Sequence, residues 1–107
     1  MINIVYHRDK NRVAVDGHAH SGEVGHDLVC AAVSTLAYTL ALFVGNMKSA
    51  GQVKYPTVEL REGHALIEAN APKRYRSSVT LVFDSICAGF ELLAQSYPEN
   101  ISYKIMK

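Results

Sequence analysis

Apolar and polar residues alternate from the start of the chain. Ile2, Ile4 and Tyr6 alternate with Asn3, Val5 and His7, and Val13 and Val15 alternate with Arg12, Ala14 and Asp16. A period of two puts each set on one face of a strand. The polar run Arg8-Asp9-Lys10-Asn11 between them reads as the turn of a β-hairpin. Gly17 ends this pattern. From Leu28 the chain is apolar almost all round, through Val29, Val33, Leu36, Leu40, Phe43 and Val44. Asp27 stands where an N-cap belongs, and Gly51 where a C-terminal stop belongs, which predicts a helix running to about Met47 or Ala50. Without a polar stripe, such a helix should be covered on more than one side, by a sheet and by a second helix or another subunit.

Val53 to Leu60 and Ala65 to Ala69 are two further strand-like runs, with Arg61-Glu62-Gly63-His64 as their hairpin turn. Pro56 inside the first of them argues for an edge strand or a bend. Ala71-Pro72-Lys73-Arg74 reads as a loop. Val79, Val82, Phe83, Ile86, Cys87, Phe90, Leu93 and Ala94 then recur at three- and four-residue steps, an amphipathic helix that ends before Pro98. Ile101, Tyr103 and Ile105 alternate as a closing strand. The order is ββαββαβ, which predicts an α+β fold: a mainly antiparallel sheet packed with two helices.

At 107 residues the chain is expected to form a single domain over 1–107, with a core modest enough that subunit contact would add to it. The net charge of +1 is scattered, which argues against direct nucleic-acid binding. Lys73, Arg74 and Arg76 form the only basic cluster, expected to be a solvated loop and at most a candidate for reading substrate. The N-terminus alternates like a strand and lacks the pattern of a signal peptide. The longest apolar stretch, Leu28 to Val44, is interrupted by Ser34, Thr35, Tyr38 and Thr39. It falls short of the roughly 20 apolar residues of a membrane span, so a buried helix is expected and no membrane partner. Two cysteines without a secretion signal point to the reducing cytoplasm.

The chemistry concentrates between Asp16 and Ser34, which hold three of the five histidines and one of the two cysteines. Cys87 falls on the apolar stripe of the second helix and reads as core. Cys30 falls at the third position of the first helix if Asp27 caps it. There the unpaired N–H groups and the positive end of the helix dipole favour a thiolate, the form a nucleophile needs. Asp27, Cys30 and Ser34 are three and four residues apart and share one helix face. Asp27 caps the helix or orients a histidine, and Ser34 is placed to donate to the sulfur. Three histidines are available as base. His18, at a strand end and held by rigid structure, ranks first, His26 second and His20 third. His7 and His64 sit at turns and read as solvated. The same region supports a metal reading, with His18, His20, His26 and Cys30 as ligands suited to zinc.

Gly17-His18-Ala19, Gly25, Asp27 and Val29-Cys30-Ala31-Ala32-Val33-Ser34 resemble the signature of the ribosomal-processing cysteine protease, or Prp, family. The histidine, the twelve-residue step to cysteine and the serine four residues on are specific, and the likeness covers the whole chain. His20 and His26 are not positions at which that family requires histidine, which weakens the zinc reading; no cofactor or metal is implied. The resemblance implies an α+β homodimer with a Cys-His dyad, Cys30 as nucleophile and His18 as general base, supported by Asp27 and Ser34. The segment Ser21, Gly22, Glu23, Val24 and Gly25 matches a flexible loop over the active site, which its glycines would let open and close. The implied activity is removal of a short N-terminal extension from the large-subunit ribosomal protein numbered twenty-seven in bacteria. Outside the enzyme class, a ribosome-assembly factor that holds a peptide without cutting it, or a small zinc-binding protein, stays open.

Overall fold

The computed structural model describes residues 1–17 and 26–107. Five strands and two long helices follow one another as expected: β1 (Ile2–His7), β2 (Arg12–Asp16), α1 (His26–Ser49), β3 (Lys54–Arg61), β4 (His64–Asn70), α2 (Arg76–Ser96) and β5 (Ile101–Met106). The strands form one sheet in the order β3-β4-β2-β1-β5. The β1–β2, β2–β4 and β3–β4 pairs are antiparallel, and β5 joins β1 in parallel. Both helices lie on the same face, because one alternate set of every inner strand faces the core. Ile2, Ile4 and Tyr6 of β1, Val13 and Val15 of β2, and Ala65, Ile67 and Ala69 of β4 are buried against Val29, Val33, Ala37, Leu40, Val44 and Met47 of α1 and Val79, Phe83, Cys87 and Phe90 of α2.

The polar turn between β1 and β2 is a short 3-10 turn, Arg8–Lys10, closed by Asn11 at φ 47°. Asparagine tolerates this left-handed conformation better than most residues. Asn11 is also buried, and its carbonyl accepts from the Ala69 N–H while its side-chain oxygen accepts from the Thr80 hydroxyl. Pro56 has both consequences the sequence suggested. β3 is an edge strand, and its register with β4 shifts between Lys54 and Thr57, where Tyr55 takes φ 52°. The β3–β4 turn is tighter than the predicted one, because Arg61 and His64 are already paired and Gly63 takes φ 73°. His7 and His64 are therefore strand residues and not turn residues. The basic segment forms a second 3-10 turn, Lys73–Tyr75, with the Arg74 guanidinium 5.0 Å over the Tyr75 ring, and Arg76 already begins α2.

The start of α1 also differs. The helix begins at His26, so Asp27 lies inside its first turn and does not cap it, and Cys30 is the fifth helical residue and not the third. Capping chemistry fixes a helix start from sequence only to within a residue or two. By length and composition α1 and α2 each suffice to cross a bilayer, contrary to the expectation for the first helix. In the fold each lays one stripe on the sheet. The other side of α1 remains open, with Leu28 66% and Leu42 64% exposed.

A polar anchor holds α2 over one end of β1. The Tyr6 hydroxyl donates to Asp84 at 2.7 Å, and Arg8 grips the same carboxylate through Nε and Nη2, each at 3.0 Å. Arg8 holds the Asp84 carboxyl below its usual range, while burial, and then Asp84, push the Tyr6 phenol up.

At the opposite end, Gly17 leaves β2 with φ 113°, and a Cβ on it would overlap the Met1 carbonyl oxygen. Gly17→Ala is expected to lower the unfolding free energy by about 2 kcal/mol, the cost of a strained left-handed backbone with a steric clash added. Denaturant unfolding of the two proteins measures it, and equal midpoints would contradict this account of the strand end.

Candidate active site

Cys30 stands beside the buried stripe of α1. Val29 and Val33 are 2% and 4% exposed and bear on the sheet. One residue further round the helix, by about 100°, come Cys30 and Ser34, half-buried and exposed respectively. Both line a cavity of about 410 Å³. Its floor includes Ile2, Val15 and Ala65 from the helix-facing side of the sheet, and its helical wall continues through Ala37 and Tyr38. The remaining wall is the end of β2 at Gly17 and the β3–β4 turn, Arg61 to His64. A backbone hydrogen bond from the Gly17 N–H to the Gly63 carbonyl, 3.0 Å, joins these two parts.

The cavity thus brings together a thiol, a hydroxyl and the strand end that leads towards His18. His18, His20, Ser21, Gly22, Glu23, Val24 and Gly25 lie outside the described residues, and of His26 and Asp27 only the helical backbone is described. The proposed base, the loop and the histidines of the alternative metal set are therefore not placed. Lys73 and Arg76 do not line the cavity of Cys30. With Arg8, Ser77, Thr80 and Asp84 they border a separate depression at the start of α2.

The two thiols differ sharply. Cys87 is 2% exposed among core residues, and burial pushes its thiol up to about 12 against the smaller opposing effect of a hydrogen bond with Tyr103. Such a thiol is protonated and inert at neutral pH. Cys30 borders open space.

His64 was expected to be solvated; it is partly exposed and paired with two carboxylates. Its Nδ1 lies 2.6 Å from Asp16 and its Nε2 3.3 Å from Glu59, and its side chain is 25% exposed. The register pairs it with Asp16 across β2 and β4, while its neighbour Ala65 faces the core. The imidazole therefore lies on the sheet face opposite α1, the helix that carries Cys30. Sequence alternation puts Asp16 and His64 on polar faces, but only the adjacency of β2 and β4 joins them. Tyr38, Arg61 and Glu62 reach the cavity for the same non-local reason.

Compared by sequence with curated proteins, the chain matches none. Its fold matches the crystal structure of SMU.848 from Streptococcus mutans with a TM-score of 0.67 and 29% identity, over 98% of this chain and 91% of that one. It also matches an essential ribosomal processing protease, Prp, from S. aureus, in complex with a covalently linked product peptide (TM-score 0.64, 24% identity, 98% and 97% of the chains) and with a substrate peptide (0.63, 23%, 98% and 97%). The family profile Peptidase_Prp, cysteine protease Prp, matches residues 1–102. A profile match over nearly the whole chain, on a fold that sets an accessible cysteine at the mouth of a cavity, establishes that this chain belongs to the Prp family of cysteine proteases.

Proposed function

We propose that the protein is a ribosomal processing endopeptidase that removes a short N-terminal extension from the large-subunit ribosomal protein numbered twenty-seven, in the cytoplasm of a bacterium. The observation that carries this reading is the placement of Cys30 in a cavity walled by the strand end that precedes His18. The likeness to a ribosomal processing protease crystallised with a substrate peptide supports the choice of substrate.

In the proposed reaction His18 takes the proton of Cys30 and the thiolate attacks the scissile carbonyl. The tetrahedral oxyanion is met by free N–H groups of the first turn of α1. Collapse breaks the C–N bond, the His18 imidazolium gives its proton to the leaving amine, and an acyl-enzyme thioester remains. Water, deprotonated by His18, then releases the carboxylate and restores the thiol. Ser34, on the same helix face as Cys30, supports the sulfur, and Asp27 supports the site from the first turn.

The working unit in this proposal is a homodimer. Leu28, Ala31, Thr35, Tyr38 and Leu42 are all exposed and recur at alternating three- and four-residue steps, the seam spacing of helices that pack along one another. A second copy on this seam gives the first helix the further cover that its all-round apolar character calls for. Leu42→Glu is expected to convert a dimer into a monomer in sedimentation velocity, and a wild type that sediments as a monomer would refute the assembly.

Labelling the folded protein with iodoacetamide at neutral pH is expected to modify Cys30 and spare Cys87, as read by peptide mass mapping. Labelling of Cys87 at a comparable rate would contradict its burial. The deciding experiment is cleavage of a peptide copying the extended N-terminus of the ribosomal protein. Wild type and His26→Ala are expected to cut it, while Cys30→Ala and His18→Ala lose at least about 10³-fold in rate and Cys30→Ala still binds. Binding by a wild type that does not cut would make the protein a peptide-holding factor, and stoichiometric zinc in the purified protein would favour the metal reading.

A further inference from the structure

On the open face of the sheet, behind the cavity, His64 ties three strands together. Its Nδ1 meets Asp16 Oδ1 at 2.6 Å on β2 and its Nε2 meets Glu59 Oε1 at 3.3 Å on β3, while the residue itself belongs to β4. A carboxylate only accepts hydrogen bonds, so each contact needs an N–H on the ring. Neutral imidazole has one N–H and imidazolium has two. The arrangement is complete only when His64 is charged. The charged groups facing the ring are Asp16 on β2 and Glu59 and Arg61 on β3. The hydrogen bond donated to Asp16 raises the pKa of His64, assisted by Glu59 and opposed by partial burial and by Arg61.

This clasp backs directly onto the site. Asp16 is the last residue of β2, and Gly17 after it donates to the carbonyl of Gly63, the residue before His64. Gly17, Gly63 and His64 border the cavity that Cys30 lines from the other side. We propose that His64 is a positioning residue: as imidazolium it locks Asp16 and Glu59, and so holds the end of β2 and the β3–β4 turn at a fixed distance from Cys30. This rests on the protease reading above. It adds to it a titrating group, carried on the other face of the sheet from the helix of the thiol, that sets the shape of the cavity wall.

The sign follows from the two charge states. A group whose pKa is raised in the fold contributes fully at low pH, and its contribution is lost as pH rises through the folded value. The doubly bonded clasp therefore loosens on the alkaline side. A permanent cation with a planar fork of donors, as in His64→Arg, can bridge the two carboxylates without this loss, whereas His64→Gln supplies neither the charge nor two opposed donors.

Three measurements on the intact protein test the proposal. NMR titration of the His64 ring, identified by its loss in His64→Gln, is expected to show a pKa above the ordinary histidine value that falls in Asp16→Asn. A ring that titrates at the ordinary value, or is unmoved by Asp16→Asn, overturns the clasp. The pH dependence of Cys30 alkylation is expected to differ between wild type and His64→Gln, with His64→Arg following wild type at low pH and lacking its change on the alkaline side. With the extension peptide, kcat is expected to drop about tenfold in His64→Gln with KM within about twofold. His64→Arg should restore most of it, and Asp16→Asn combined with His64→Gln should cost no more than either alone. Unchanged kcat and alkylation in a folded His64→Gln overturn the positioning role. Should wild type fail to cut, the protease reading falls, while the ring titration and the alkylation profiles still decide on the clasp.

Discussion

The arrangement of the site depends on the burial of one stripe of α1 against the sheet. Val29, Val33, Ala37, Leu40, Val44 and Met47 are all nearly inaccessible, and they fix the rotation of the helix about its axis. A fully buried valine or leucine contributes about 1.5–3 kcal/mol relative to exposure. Turning the helix by a third of a revolution would expose several of them at once. Cys30 and Ser34 are thus placed by their apolar neighbours, which leave them no other direction to point than along the edge of the core, into the cavity. The chemistry of the first turn is set by packing that has no chemistry of its own.

The sheet fixes the other wall by different means. β2 is the middle strand of the five and is hydrogen-bonded on both sides, to β1 and to β4. Its last residue, Asp16, stands between Asn3 and His64. The antiparallel register puts this end opposite the end of β1 that carries Tyr6 and Arg8, where Asp84 anchors α2. The polar groups of the fold therefore divide into two sets. One secures α2 at one end of the sheet, and the other, Asp16, His64 and Glu59, lies behind the cavity at the other. β2, with ladder bonds on both edges, connects the two ends as a rigid member.

Much of this was legible in the chain itself, because the signals were local. A period of two gave β1, β2, β4 and β5, a period of 3.6 gave α2, and Pro56 marked β3 as an irregular edge strand. The Gly-His-Ala and Cys-to-Ser spacing led to the family. What was not legible is non-local. No pattern in the sequence states that β4 lies against β2, so His64, read alone at an expected turn, gave no sign of Asp16, 48 residues away. The carboxylate partners of His64 went unread for that reason. The start of α1 was misplaced by two residues because Asp27 is a good cap by type, and residue type alone does not say which N–H groups are already bonded.

The two cysteines show how far environment outweighs identity. Both lie on helices that pack on the same face of one sheet. Cys87 sits three residues after Asp84 on the buried stripe of α2, where a thiolate would be desolvated and would meet a carboxylate close by. Both effects hold it protonated, and its hydrogen bond with Tyr103 does not offset them. Cys30 is displaced from the equivalent stripe of α1 by one residue. That single step moves a thiol from the core to a cavity large enough for a peptide side chain, facing a strand end held by bonds it does not itself make. In the proposed dyad the nucleophile needs access, and the base must be held by something other than the nucleophile. One step along a helix supplies the first, and a doubly paired central strand, ending two residues before His18, is suited to supply the second.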